Sequence, residues 1–108
     1  MAYDKKLAEK LTALVKNRKG FSQKEMFGGI AFMLNGYMCF GVHKDELVLR
    51  MDEDSAIQSL KRKHTRPFDM GRPMKGWIMV SNDGFKTKDN LDKWISLAIK
   101  FVKTLPKK

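Results

Sequence analysis

Along residues 3–17 the apolar positions Leu7, Leu11, Leu14 and Val15 recur at i, i+4, i+7 and i+8, the stripe of one helix face. Asp4 in the first turn and Lys16, Arg18 and Lys19 at the end match the helix dipole, and Gly20 supplies a stop. The period then changes to two. Ile30, Phe32 and Leu34 alternate with Ala31 and Met33, and beyond Asn35-Gly36 the residues Tyr37, Cys39 and Gly41 alternate with Met38, Phe40 and Val42. Asn-Gly between two such runs is a strong hairpin signal, because both turn positions want positive φ. A turn at 43–45 leads to a third strand over residues 46–51, and Asp52 or Asp54 then caps a short helix around Ala56, Ile57 and Leu60. Residues 77–80 read as the last strand, stopped by Ser81-Asn82-Asp83-Gly84. A final helix over residues 89–105 sets Leu91, Trp94, Ile95, Ala98, Phe101, Val102 and Leu105 on one stripe and ends at Leu-Pro. The pattern predicts an α+β fold: an antiparallel β-sheet flanked by N- and C-terminal helices.

The strand segments are apolar on both alternations (Phe32 and Met33, Met38 and Cys39, Ile78 and Met79), so both sheet faces want cover. Two long helices suffice for one. The other needs the short helix, the segment before the last strand, or a second subunit. Eight methionines supply adaptable apolar surface; a Met-filled core is the expectation and a homodimer face the alternative.

Length and composition add bounds. At 108 residues, 43% apolar and 31% charged, residues 1–108 form one globular domain. No apolar run approaches the roughly 18–20 residues of a membrane span, and residues 1–20 carry charges throughout with no signal-peptide core. A single cysteine, Cys39, has no intramolecular partner, and a cytoplasmic location is expected. The formal net charge is +10. Residues 1–20 hold six basic and two acidic side chains, residues 61–75 six and one, and residues 86–108 seven and two, whereas residues 21–60 hold three and six. Basic ends and a basic connector around an acidic middle suit a polyanion-binding face, and equally suit solvated surface lysines.

Candidate chemistry is sparse. Cys39 and His43, four apart on a strand, are expected on the same face, with His64 and Asp69 elsewhere. A metal needs three or four converging ligands. A Cys–His nucleophilic pair needs hydrogen-bond contact, which about 13 Å of strand rise forbids. Met26-Phe27-Gly28-Gly29 is no phosphate-cradling motif, and Asp52, Glu53 and Asp54 read as helix-start charges. No catalytic residue, metal or cofactor is expected.

The ordered set Met26-Phe27-Gly28-Gly29, Asn35-Gly36, Leu49-Arg50, Arg66-Pro67-Phe68 and Met70-Gly71-Arg72-Pro73-Met74-Lys75-Gly76-Trp77 resembles the N-terminal domain of the TfoX (Sxy) family over nearly the whole chain. The resemblance implies an α–β–α fold with an antiparallel sheet and no catalytic residues. It also implies kinship with regulators of competence (DNA-uptake) genes that act with a cyclic-AMP-responsive activator. Those regulators carry a second, C-terminal domain; a chain ending at Lys108 reads as a stand-alone N-terminal domain. The expected function is regulation through protein contacts with the transcription machinery. Direct, sequence-independent nucleic-acid binding is the alternative, and an enzyme the least supported class.

The basic connector is where these readings part. Pro67 and Pro73 restrict its backbone, and Gly71 and Gly76 permit tight turns. It is expected to act as a structural clasp, with Arg50, Arg66 and Arg72 pairing with the acidic middle segment or its own acid, for instance Asp52, Glu53 or Asp69. Lys61, Arg62 and Lys63 precede the family-like run; they are expected to be solvated, and they are the candidate nucleic-acid contacts.

Overall fold

The computed structural model describes residues 3–26, 28–68 and 76–106. The described elements run α1 (Lys5–Val15), β1 (Phe21–Met26), β2 (Gly29–Leu34), β3 (Tyr37–His43), β4 (Glu46–Arg50), α2 (Glu53–Ser59), β5 (Thr65–Pro67), β6 (Trp77–Val80), a 3-10 turn over Asn82–Phe85, and α3 (Lys88–Val102). The strands form one sheet in the order β1-β2-β3-β4-β6-β5, every neighbour antiparallel. This is the expected α+β architecture, with two strands beyond those the sequence pattern predicts.

Both additional strands are sheet edges. β1 reads Phe-Ser-Gln-Lys-Glu-Met, polar on both alternations, and Phe21 anchors it against the core. An edge strand standing in water has no need of the apolar alternation that marks an inner one. β5 is three residues long and holds Pro67, whose missing N–H is tolerated at an edge.

The β2–β3 hairpin closes as expected, with Asn35 at φ 54 and Gly36 at φ 88. Along it the register shifts: Phe32 faces Phe40 while Met33 faces Met38, which leaves Cys39 as the extra residue of a bulge. One inserted residue changes the face parity of the strand. Tyr37 and Cys39 therefore join Phe40 and Val42 in the helix-side core. His43 lies on the other face, beside Met38, Val48 and Phe68. The expectation that Cys39 and His43 share a face is overturned by the bulge.

All three helices contribute to that core: Leu7, Leu11 and Val15 from α1, Ala56 from α2, and Leu91, Trp94, Ile95, Ala98, Ile99 and Val102 from α3. The Phe32 and Phe40 rings stack beneath them, 4.9 Å between centroids. Asp4 proves to be the cap of α1, accepting from the Leu7 N–H, rather than a first-turn residue. Asp52 caps α2 and Thr87 caps α3. Of the three residues expected to anchor α2, Ala56 is buried and Leu60 half-buried, but Ile57 is 50% exposed. Seven residues are only two turns, so a single buried column suffices.

The opposite sheet face is covered from within the chain. Phe68, just past β5, packs on Val48 and Met79, with Met38 and Trp77 at the margin. Methionine serves both sides: Met51 is buried in the helix-side core, Met79 lies under Phe68, and Met33 and Met38 are half-buried. Among the described residues, the large apolar side chain left exposed is Ile57.

Candidate functional site

The basic residues of the connector and its neighbours divide into three settings. The first is built around Arg50. The Met51 N–H donates to the Gly76 carbonyl at 2.7 Å, and this returns the chain to the sheet beside the end of β4. Gly76 sits at φ +82, and a Cβ there would lie 2.5 Å from the Met51 carbonyl oxygen, so no other residue fits without backbone movement. The return places Trp77 opposite Arg50. The Arg50 guanidinium then lies 5.5 Å from the Trp77 ring centre, 5.7 Å from that of Phe101 and 5.8 Å from that of Tyr37. The Tyr37 hydroxyl donates to the Pro106 carbonyl at 2.5 Å, tying the end of the chain after α3 to the hairpin. Arg50 is thus a cation–π hub joining hairpin, sheet and last helix. It does not pair with Asp52 as expected. That carboxylate accepts from the Ser55 N–H at 2.9 Å, and hydrogen bonding from Ser55 holds it below the usual carboxylate range.

The second setting is Arg66 on the edge strand β5. Its guanidinium donates to Glu46 Oε1 at 2.6 Å and approaches Met79 Sδ at 3.7 Å. Arg66 does reach the acidic middle segment, through Glu46 rather than the acids expected. Cross-strand geometry decides the partner, because β5 and β4 flank β6 on the same sheet. The Glu46 side chain is 17% exposed and its Oε2 is buried without a hydrogen-bond partner, so the ion pair is its main compensation. Phe27, Asp69, Gly71, Arg72, Pro73 and Lys75 lie outside the described residues.

The third setting is Lys61-Arg62-Lys63. Lys61 and Lys63 are exposed, as expected. Arg62 is not merely solvated: its guanidinium lies 4.5 Å over the Trp94 ring. Trp94 is held by its own Nε1–H, which donates to the Gly84 carbonyl at 3.0 Å. The Thr65 hydroxyl is within hydrogen-bond distance of the Ser59 and Arg62 carbonyls and closes the loop.

Nucleophilic chemistry finds little support. Burial pushes the Cys39 thiol from 9.0 up to about 12, despite the lowering effect of nearby Arg50. His64 sits at φ 68, and its carbonyl accepts from the Ser81 N–H. Among the described residues no three of His, Cys, Asp or Glu gather as a metal would require. Gly29 is a strand residue paired with Met26 and His43, and a Cβ on it would run into the Val42 carbonyl. Gly29 therefore lets the strands approach, and Gly28, at φ 72, makes the turn into β2.

The family model of the TfoX N-terminal domain matches residues 13–102 of this chain. The chain belongs to that family. No curated protein and no solved structure matches it significantly. In this TfoX N-terminal domain, Asn35-Gly36 forms the hairpin turn, Arg50 the aromatic hub, Arg66-Pro67-Phe68 a sheet edge followed by its plug, and Gly76-Trp77 the re-entry into the sheet. Among its described residues, no helix is long and apolar enough to cross a membrane. Sequence reasoning missed Glu46, Trp94, Tyr37 and Phe101 as partners of the three arginines. Glu46, Trp94 and Phe101 lie 20 or more positions from the arginines they meet, and Tyr37 lies 13 from Arg50, at the start of the neighbouring strand β3. No local spacing announces them.

Proposed function

We propose that this domain is a non-enzymatic regulatory module of the bacterial cytoplasm that acts by contacting proteins of the transcription machinery, the role that kinship with competence regulators implies. The family match over residues 13–102 carries the reading. The settings of the reactive side chains support it: Arg50, Arg62 and Arg66 are engaged in holding the fold, and the Cys39 thiol is buried and kept protonated. Sequence-independent nucleic-acid binding is the second reading, favoured by the net charge of +10 and the exposure of Lys61 and Lys63.

Affinity capture from the native cell, with and without nuclease, separates the two. Protein partners that survive nuclease and depend weakly on salt are the expected result. Loss of all captured material on nuclease treatment would overturn the reading, as would duplex binding whose log K falls with log salt at about −0.9 per phosphate contact.

A further inference from the structure

A groove runs between α1 and the start of α3, on the helix layer. Its cavity volume is about 390 Å³. Ala13 and Leu14 form the α1 wall, Phe85 and Leu91 the floor and far wall, and Lys10 and Lys88 stand on opposite rims. The groove extends along α1 past Lys10 towards Lys6, through a second hollow of about 220 Å³ that shares Lys10, Phe85, Lys86 and Leu91 and ends at Asp4, whose carboxylate is already engaged in capping α1. Lys6 and Lys10 are four apart and Leu14 four further on, so one side of α1 lines the groove for roughly two turns, about 12 Å.

The charge is distributed unevenly among the cations. Lys86, also on the rim, is already 2.9 Å from Asp83, which holds its ammonium above the ordinary range. Lys10 and Lys88 make no ion pair among the described residues. Two unpaired cations therefore straddle an apolar trough. A phosphate backbone has no use for such a floor, whereas an amphipathic helix does: apolar side chains at i, i+4 and i+7 descend into the trough and flanking carboxylates meet the lysines.

We propose that this groove is the docking site for an acidic amphipathic helix of a partner protein, an assignment that rests on the protein-contact reading above and gives it a surface. Lys10 and Lys88 orient the helix, exposed Ala13 and half-buried Leu14 supply most of the contact area, and Phe85 and Leu91, 6% and 5% exposed, form its base.

The test uses the full chain and fluorescence anisotropy with a labelled synthetic helix bearing Leu at i, i+4 and i+7 and Glu beside them. A scrambled peptide of the same composition and a short DNA duplex are the controls. The helix is expected to bind in the micromolar range, at least tenfold more tightly than the scrambled peptide. Lys10→Glu with Lys88→Glu, and separately Ala13→Glu, should each weaken it at least tenfold. Lys61→Glu with Lys63→Glu should leave it unchanged. All five positions are exposed, and circular dichroism checks that the variants stay folded. Equal binding of the scrambled peptide, no binding up to hundreds of micromolar, or undiminished binding by the groove variants overturns the proposal. So does loss of duplex rather than helix binding in those variants, which would make the groove a nucleic-acid site. Repeating the cellular capture with the groove variants separates the two failures. Partners retained by the variants sink the groove alone, while capture abolished by nuclease sinks the protein-contact reading.

Discussion

Arg50 shows how a single side chain can serve several elements at once. Its guanidinium faces Tyr37, Trp77 and Phe101, each within 6 Å. A planar, weakly hydrated cation suits that position better than an ammonium. Arg50→Gln should destabilise the domain by about 1–3 kcal/mol in urea unfolding, and Arg50→Lys should restore only part of it. Arg62 behaves similarly on a smaller scale. Lys61→Gln with Lys63→Gln should change stability by less than about 0.5 kcal/mol, whereas Arg62→Gln should cost about 1 kcal/mol through lost stacking on Trp94. Equal effects from the two would show that the Arg62–Trp94 contact contributes nothing. Cys39 carries a pH prediction of its own. Its native thiol ionises near 12 and its unfolded thiol near 9.0, so the native state favours the proton. That contribution is complete below pH 9, and stability falls as pH rises from 9 towards 12. Native protein at neutral pH should react with a thiol reagent only as fast as it unfolds, and immediate labelling would contradict the burial.

At the scale of elements, two turns control the sheet. Asn35-Gly36 sets the β2–β3 register with positive φ at both positions, and Gly36→Val should lower stability by about 1–2 kcal/mol. Gly76→Ala should be worse, since it adds a collision with the Met51 carbonyl to an unfavourable φ. Melting temperatures of the two variants, measured side by side, check the order. The hairpin was legible because its signal is a local dipeptide between alternating runs. The bulge at Cys39 was not, because the amino-acid pattern of β3 is apolar on both sides and fits either parity. Edge strands β1 and β5 were hidden for the opposite reason. They bury too little to carry any pattern, and their pairing is fixed by a neighbouring strand that already exists.

For the molecule as a whole, the telling feature is a sheet covered on one side by three helices and on the other, among the described residues, by the Phe68 ring. Phe68 is 7% exposed and closes over Val48 and Met79. Phe68→Ala should therefore cost about 3 kcal/mol and expose sheet surface to a hydrophobic dye. If a second subunit covered that face instead, the substitution would have little effect and the melting temperature would depend on protein concentration. Light scattering showing monomer at high micromolar concentration is the expected companion result.

The helices, the inner strands, the hairpin and the family are legible along the chain, because each is written in periodicity, in a turn dipeptide or in an ordered set of motifs over contiguous residues. Of the family-like run from Arg66, expected to act as a clasp, the described residues Arg66-Pro67-Phe68 and Gly76-Trp77 form a sheet edge, its cover and the way back into the sheet. Which partner each arginine takes, which face Cys39 and His43 occupy, and where lysines without an ion pair among the described residues meet apolar surface were settled by tertiary contacts alone. Those outcomes depend on residues brought together across the sheet and between helices, and on a one-residue bulge. A linear pattern of polar and apolar positions carries no record of contacts between residues so far apart along the chain.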